Sequence, residues 1–229
     1  AFPDPLPILR NLTRLDLSGN GMEGAIPASV AERLPELEEL NLAKNGLRGS
    51  VPPEVGRLER LVAFNVSANK LEGDIPGSLG RLAGVLELLD LSDNRLSGRI
   101  PAVIGRLGEA IVLLGGNRLT PPAPLSVCKL DSMKEDEDLC PMEIKILEEI
   151  YHNFNGPEWI NNEYWLDESE SYCAWHGVVC DAEMESSTVM LELQNNGLSG
   201  NLTGFIMELM SGLNSLEVLN FDGNDIGGS

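Results

Sequence analysis

The sequence is poor in cations: 16 Lys and Arg stand against 36 Asp and Glu, which gives a net charge of −20. Nucleic acid and anionic membrane surfaces both need surplus cations on their partner to neutralise phosphate, so the charge argues against both. No apolar run approaches the roughly 18 to 20 residues of a transmembrane helix, so no membrane insertion is expected. Aromatic residues make up only 5% of the chain. A packed core must therefore be built from Leu, Ile and Val.

Motifs for catalysis and for cofactor or metal binding are also missing. His152 and His176 have no Ser or Cys nucleophile at a recognisable spacing, and no Gly-rich phosphate loop or C-x-x-C pair occurs. Paired carboxylates such as Asp90 and Asp93 would need a deep pocket to shift a pKa for acid–base chemistry. We therefore expect no enzyme, no cofactor and no metal site, and we interpret the acidic run Glu135–Asp138 as a solvated linker.

A repeated pattern dominates what is present. Its first copy, L-x-x-L-x-L-x-x-N, consists of Leu12, Leu15, Leu17 and Asn20. Further copies end at Asn45, Asn69, Asn94, Asn117, Asn196 and Asn224, so seven repeats are visible. The Asn residues of the first block lie 25, 24, 25 and 23 residues apart. This period falls within the roughly 20 to 29 residues of a leucine-rich repeat.

Each repeat is expected to contribute one short parallel strand, with Leu side chains inward and the residues between them on a concave face. The Asn amide suits the sharp turn after the strand, because it offers donors and an acceptor to unpaired backbone groups. A second signature follows four of the Asn residues, in the segments Gly24–Pro27, Gly49–Pro52, Gly73–Pro76 and Gly98–Pro101. This L-x-G-x-I-P continuation resembles the plant-type extracellular leucine-rich repeats of receptor-like proteins and polygalacturonase inhibitors. The resemblance implies an α/β solenoid whose convex side has short strands and 3-10 turns.

A different motif opens the second block. It begins with apolar residues at helical spacing: Ile144, Leu147, Ile150, Tyr151 and Phe154. Trp159, Trp165 and the segment Cys173–Cys180, which reads C-A-W-H-G-V-V-C, follow them. This motif resembles the N-terminal cap of the same family, most closely in its algal and protist members. The resemblance implies a helical cap, closed by a Cys173–Cys180 disulfide, that covers the first repeat.

The cap should precede the repeats, yet it follows five of them. Joining Ser229 to Ala1 would place Asn224 and Asn20 25 residues apart, the spacing found elsewhere. We expect five repeats with their C-terminal end in 1–127, an acidic linker in 128–141, the cap in 142–187 and the first two repeats in 188–229, with a module order of 138–229 and then 1–129. A circular permutant, a tandem array excised out of register and a reversed listing of two pieces all fit. Cys128 and Cys140 are a second candidate disulfide, because they are close together in the written order. In a cap-first solenoid they would lie at opposite ends and could not bond, so their state depends on the chain order.

The sequons at Asn11, Asn65 and Asn201, with the cap disulfide and the resemblance, favour a secreted or cell-surface glycoprotein. The expected ligand-binding residues lie on the concave face: Arg14, Asp16, Glu39, Asn41, Lys44, Asp90, Asp93, Glu192 and Asn220. Their acidic and amide character predicts a basic or neutral protein, peptide or glycan as the ligand. An alternative is a structural building block of a secreted filament or large surface complex, which assembles head to tail through the solenoid ends or the acidic cap.

Overall fold

The computed structural model describes residues 8–133, 139–167, 170–181, 187–202, 205 and 212–227. Two features predicted from the sequence, the junction of Ser229 with Ala1 and the acidic run Glu135–Asp138, lie outside these residues. Of the described helices, none is long and apolar enough to cross a membrane.

The first ten strands alternate along the chain between two parallel sheets. They are β1 (Arg14–Asp16), β2 (Glu23–Gly24), β3 (Glu39–Asn41), β4 (Gly46–Gly49), β5 (Ala63–Asn65), β6 (Lys70–Gly73), β7 (Leu88–Asp90), β8 (Arg95–Arg99), β9 (Ile111–Leu113) and β10 (Arg118–Thr120). The odd-numbered strands form one sheet in chain order, and the even-numbered strands form the other in the same order. Because each strand pairs only with the equivalent strand of the next repeat, the first block is a solenoid, as the repeat predicts.

Short helices complete each repeat between an even strand and the next odd one. They are α1 (Val30–Arg33), the 3-10 helices Pro53–Arg57, Gly77–Leu82 and Ala102–Leu107, and α2 (Leu125–Cys128). A Cβ at Gly56 would lie 2.2 Å from the carbonyl oxygen of Ser78, and one at Gly80 would lie 2.6 Å from that of Val103. These glycines therefore allow the backbones of adjacent repeats to touch on this side.

The core is built from the repeated aliphatic positions, as the composition requires. Leu40, Leu89 and Val112 lie at the middle of their strands and are at most 1% exposed. Their strand neighbours on either side face outward, so the alternation read from the sequence is confirmed.

The repeated Asn residues form a ladder that ties each turn to the preceding one. Asn69 donates from Nδ2 to the carbonyl oxygens of Val66, in its own repeat, and Leu42, in the repeat before, both at 3.0 Å. Its Oδ1 accepts from the N–H of Leu47 at 3.0 Å. Asn45, Asn94 and Asn117 repeat this arrangement. The predicted role of the amide at the turn is thus confirmed.

The second block begins with the helix α3 (Met142–Asn153), which is followed by the 3-10 helices Gly156–Glu158 and Tyr172–Ala174. Its strands are β11 (Val178–Cys180), β12 (Thr188–Glu192), β13 (Ser199–Asn201), β14 (Val218–Asn220) and β15 (Asp225–Gly227). β11 pairs antiparallel with β12, β12 pairs parallel with β14, and β13 pairs parallel with β15. Asn196 donates to the carbonyl oxygen of Asn161 at 2.8 Å, so the cap loop takes the place of a preceding turn in the ladder.

Buried polar contacts hold α3 to the rest of the cap. Glu143 is 7% exposed, and its Oε2 accepts from the N–H of Thr188 at 2.6 Å and from the hydroxyl of Tyr172 at 3.1 Å. Burial, with the nearby Glu143 carboxylate, raises the pKa of Tyr172, which therefore remains a neutral donor. This carboxylate joins the helix to the disulfide loop and to β12.

Both Cys pairs form disulfides, each with a Cα–Cα distance of 5.5 Å. Cys173–Cys180 is the bond that the cap motif implies. Cys128–Cys140 closes the linker after α2, where the N–H of Ala123 also donates to the carbonyl oxygen of Leu139 at 2.7 Å. The written chain order therefore brings Cys128 and Cys140 within bonding distance.

Candidate ligand-binding surface

The open face of the first sheet carries two rows of side chains, because each odd strand exposes its first and third residues. In strand order, one row consists of Arg14, Glu39, Ala63, Leu88 and Ile111, and the other of Asp16, Asn41, Asn65, Asp90 and Leu113. A shallow depression of about 190 Å³ lies over the first four strands, lined by residues from Arg14 to Leu88. Of the residues expected to bind ligand, Arg14, Asp16, Glu39, Asn41 and Asp90 lie in these rows.

The polar members of the second row also stabilise the strand ends. Oδ1 of Asp16 accepts from the N–H of Ser18 at 2.9 Å and from its hydroxyl at 2.7 Å. Asn65 and Asp90 accept in the same way from the serine two residues further on. One oxygen of each side chain is therefore committed to a local turn.

Asp16 is the carboxylate with the most hydrogen-bond support on this face. The Ser18 hydroxyl, then the Ser18 N–H and the Asn41 amide at 3.0 Å, lower its pKa below the ordinary aspartate value. A carboxylate whose pKa is lower in the folded than in the unfolded protein stabilises the fold at pH values above its unfolded-state pKa. This stabilisation is lost as the pH falls through the folded-state pKa. Asp16 therefore keeps its charge at a pH where an ordinary Asp begins to be protonated.

The charges on this face are unevenly paired. Arg14 and Glu39 form an exposed ion pair at 3.0 Å. Within the described part of the chain, Asp90 and Asp93 have no ion pair with any Lys or Arg. Asp93 and Lys44 occupy equivalent turn positions, with φ of 53° and 57°. The end of the face near β7 is therefore the more acidic one.

Exposed aliphatic side chains at the same end are absent from the sequence-based set of binding residues. Ile111 is 53% exposed and Leu113 is 39% exposed, and their register neighbours on β7 are Leu88 and Asp90. The run Ala110–Leu114 is entirely apolar, so alternation does not show which of its members face outward. Counting back six and four residues from Asn117, however, identifies Ile111 and Leu113 as outward positions.

The second block has a shorter open face. Val179, Met190 and Val218 form one row across β11, β12 and β14, and Glu192 pairs with Asn220 in the next. Glu192 and Asn220, both expected to bind ligand, are therefore neighbours. No hydrogen-bonded strand pair joins the described strands of this block to the first sheet.

The three sequon asparagines occupy different environments. Asn11 is exposed in the turn before β1, and Asn201 is exposed at the end of β13. Asn65 is half-buried in the depression of the first sheet. A glycan on Asn65 would therefore occupy the depression.

A second cleft, of about 450 Å³, lies where α2 and the last 3-10 helix of the first block meet the cap loop. Arg106, Ser126, Lys129 and Asp167 line it, and Lys129 also pairs with Glu148 of α3 at 3.5 Å. Within the described ranges, no cluster of His, Cys, Asp and Glu side chains is placed to hold a metal ion.

Comparison with known proteins agrees with the repeat. The family model described as Leucine Rich Repeat matches residues 11–32, 36–58 and 85–107. No curated protein matches the chain. The Arabidopsis receptor kinase HAESA, solved in complex with the peptide hormone IDA and the co-receptor SERK1, is 37% identical over 54% of this chain, with a TM-score of 0.51.

Two further solved structures are similar at lower TM-scores. A pollen receptor kinase 3 is 34% identical over 53% of this chain and 59% of its own, with a TM-score of 0.48. A TDR receptor is 24% identical over 95% of this chain and 27% of its own, with a TM-score of 0.49. This chain spans about a fifth, 21%, of the HAESA chain. Its repeats are leucine-rich repeats similar to those of plant extracellular receptor ectodomains.

Proposed function

We propose that this chain is a non-catalytic, extracellular recognition module that binds a protein or peptide through the open face of its first sheet. The observation that carries the proposal is the composition of that face. It presents carboxylates that form no ion pair among the described residues beside large aliphatic side chains, whereas the inward-facing side chains of the same strands are buried in a continuous core. Such mixed surfaces are typical of recognition sites.

The dimensions of the face favour an extended segment over a small molecule. Five parallel strands at about 4.8 Å spacing span about 19 Å, which matches about six residues of extended chain. The depression of about 190 Å³ is too shallow to enclose a drug-sized ligand, for which about 300 to 1,000 Å³ is usual. A peptide or a protein loop lying across the strands fits this geometry.

The similarity to HAESA supports the same proposal, because that receptor kinase was solved with a peptide hormone bound. The two disulfides and the three sequons support an extracellular location. We also propose the boundaries 1–127, 128–141, 142–187 and 188–229 for the parts of the chain, with 138–229 preceding 1–129 in the underlying module.

Replacing Asp16 and Asp90 together should weaken binding of a basic peptide. The probe is a synthetic array of twelve-residue peptides that vary in charge, and affinities of the peptides bound are measured by calorimetry. Asp16→Asn with Asp90→Asn keeps the Oδ1 acceptors for Ser18 and Ser92 and removes both charges, together with the exposed bond from the Asn41 amide to Asp16 Oδ2. We therefore expect about a tenfold loss for basic peptides and a melting temperature lowered by at most about a few degrees. Asp16→Lys with Asp90→Lys should abolish their binding. Equal affinities for all three proteins would show that this face is not the site.

Glycosylation of Asn65 should block the face. The chain is secreted from a eukaryotic host, and occupancy at each sequon is read by mass spectrometry. Ser67→Ala removes this sequon but keeps the Asn65 side chain and its bond from the backbone N–H of residue 67. Protein glycosylated at Asn65 should bind peptides at least tenfold more weakly than Ser67→Ala, whereas removal of the Asn11 sequon by Thr13→Ala should change nothing.

The building-block alternative is tested by light scattering on a size-exclusion column over a hundredfold dilution. A constant mass near that of one 24.8 kDa chain plus glycan is expected for a recognition module. A mass that rises with concentration without any partner would favour head-to-tail assembly instead.

A further inference from the structure

Half-buried Leu88 and exposed Ile111 and Leu113 form an apolar patch on the open face, which we call the β7–β9 patch and for which the packing of the solenoid gives no reason. Inward-facing aliphatic residues of the same strands build the core, but these three side chains point away from it. The equivalent positions in β1 and β3 carry Arg14, Asp16, Glu39 and Asn41. An ordinary solvated sheet face would continue that polar pattern into β7 and β9.

The patch is not an edge left open for another strand. The N–H of Val112, which lies on the outer edge of β9, donates to the hydroxyl of Ser132 at 2.9 Å. The chain after α2 therefore covers this edge of the sheet at Val112. Ile111 and Leu113 remain exposed on the open face even with that closure in place.

The patch has the size of one large apolar side chain. Leu88 and Ile111 are register partners on adjacent strands, about 4.8 Å apart, and Leu113 lies two residues along β9, about 6.6 Å from Ile111. One Leu, Ile or Phe side chain from a segment lying across the strands would cover this area.

The carboxylates around the patch indicate which residue of the ligand would lie next to that apolar side chain. Asp90 is the register partner of Leu113, and Asp93 follows in the turn after β7. Among the described residues neither has a cationic partner, and Asp90 still has one carboxylate oxygen outside its Ser92 contacts. A Lys or Arg next to the apolar residue would therefore meet a carboxylate within its reach.

We infer that the β7–β9 patch is an anchor site for one apolar side chain of a protein segment that carries a Lys or Arg one or two positions away, held by Leu88, Ile111 and Leu113 with Asp90 and Asp93. The inference rests on the proposed function and specifies the chemistry of its ligand. The apolar contact supplies affinity, and the carboxylates select against acidic segments.

The experiment selects peptides from a random twelve-residue display library on the whole chain and on matched variants. Ile111→Thr keeps a β-branched residue in the strand, and Leu113→Asn copies the residue found at the same position in β3 and β5. Ile160→Thr is the control, because Ile160 is 79% exposed but lies in the cap loop. Thermal melts of all the variants confirm that they fold.

The wild type and Ile160→Thr should enrich peptides with Leu, Ile or Phe within two positions of Lys or Arg. Ile111→Thr and Leu113→Asn should bind those peptides at least tenfold more weakly, and Asp90→Asn should reduce the preference for the basic residue. The selected peptides could instead bind more weakly to the double variant Asp16→Lys with Asp90→Lys but equally well to Ile111→Thr and Leu113→Asn. That result would overturn the anchor site and leave the proposed function standing. If no peptide is enriched above the background on an immobilised unrelated protein, both the anchor site and the proposed function are overturned.

Discussion

Leu40→Asp should unfold the first block. Leu40 is 1% exposed at the middle of β3, and an aspartate there would have no cation or hydrogen-bond donor to pair with. Burying an unpaired charge and losing the aliphatic contacts should together cost about 4 kcal/mol or more. That loss is comparable to the whole stability of many domains, which is about 5 to 15 kcal/mol.

The matched control for this variant is Ala63→Asp. Ala63 lies in the next strand, where it pairs in register with Glu39 and faces the open side. The same new carboxylate there stays in water, so the circular-dichroism melting curve should move by only a few degrees, whereas Leu40→Asp should abolish the transition. Equal melting of the two variants would contradict the assignment of inward and outward positions.

Asn69→Ala should have the second-largest effect. Asn69 is 9% exposed, and without its amide the N–H of Leu47 loses its hydrogen-bond partner. The carbonyls of Leu42 and Val66 lose the bonds from Asn69 but keep those from Asn45 and Asn94. The buried N–H left unsatisfied costs about 1 to 3 kcal/mol, and each lost bond to the two carbonyls adds about 0.5 to 1.5 kcal/mol, so we expect about 2 to 5 kcal/mol in urea unfolding at constant m-value.

Asn20→Ala provides the internal comparison. Asn20 has the same place in its repeat, but it is exposed, and its amide donates, among the residues that the structure describes, only to the carbonyls of Leu17 and Ser18 of its own turn. Water can replace those bonds, so the loss should stay below about 1 kcal/mol. If Asn69→Ala and Asn20→Ala lost the same free energy of unfolding, contacts within one turn would account for the whole effect of the Asn. The bonds between repeats would then contribute nothing to stability.

The fold was predictable because each structural position recurs in several repeats of the sequence. Leu40, Leu89 and Asn69 each occupy a position that recurs with the period of the solenoid, so one reading of the pattern places all of them. The cap disulfide followed from a short motif that resembles those of known caps. Local spacing also made Cys128–Cys140 a candidate.

The open face was only partly predictable, because side chains on it have two roles that the sequence does not separate. Asp16 and Asp90 were chosen for their charge, but the structure shows that each also holds a serine turn. Ile111 and Leu113 were missed as binding candidates because only polar side chains were chosen on this face. The burial of Glu143 could not be read from α3 either, since its partners Tyr172 and Thr188 are far away in sequence.

The Asn ladder also bears on how such a chain could change in length during evolution. Asn45, Asn69 and Asn94 each bond to their own turn and to the turn before. A duplication of one whole repeat would add one rung and lengthen the open face, with every other rung unchanged. An insertion of half a repeat would instead carry the next Asn to the opposite side of the coil and leave its partners empty. Gene duplications in phase with the repeat are therefore the length changes that this architecture tolerates.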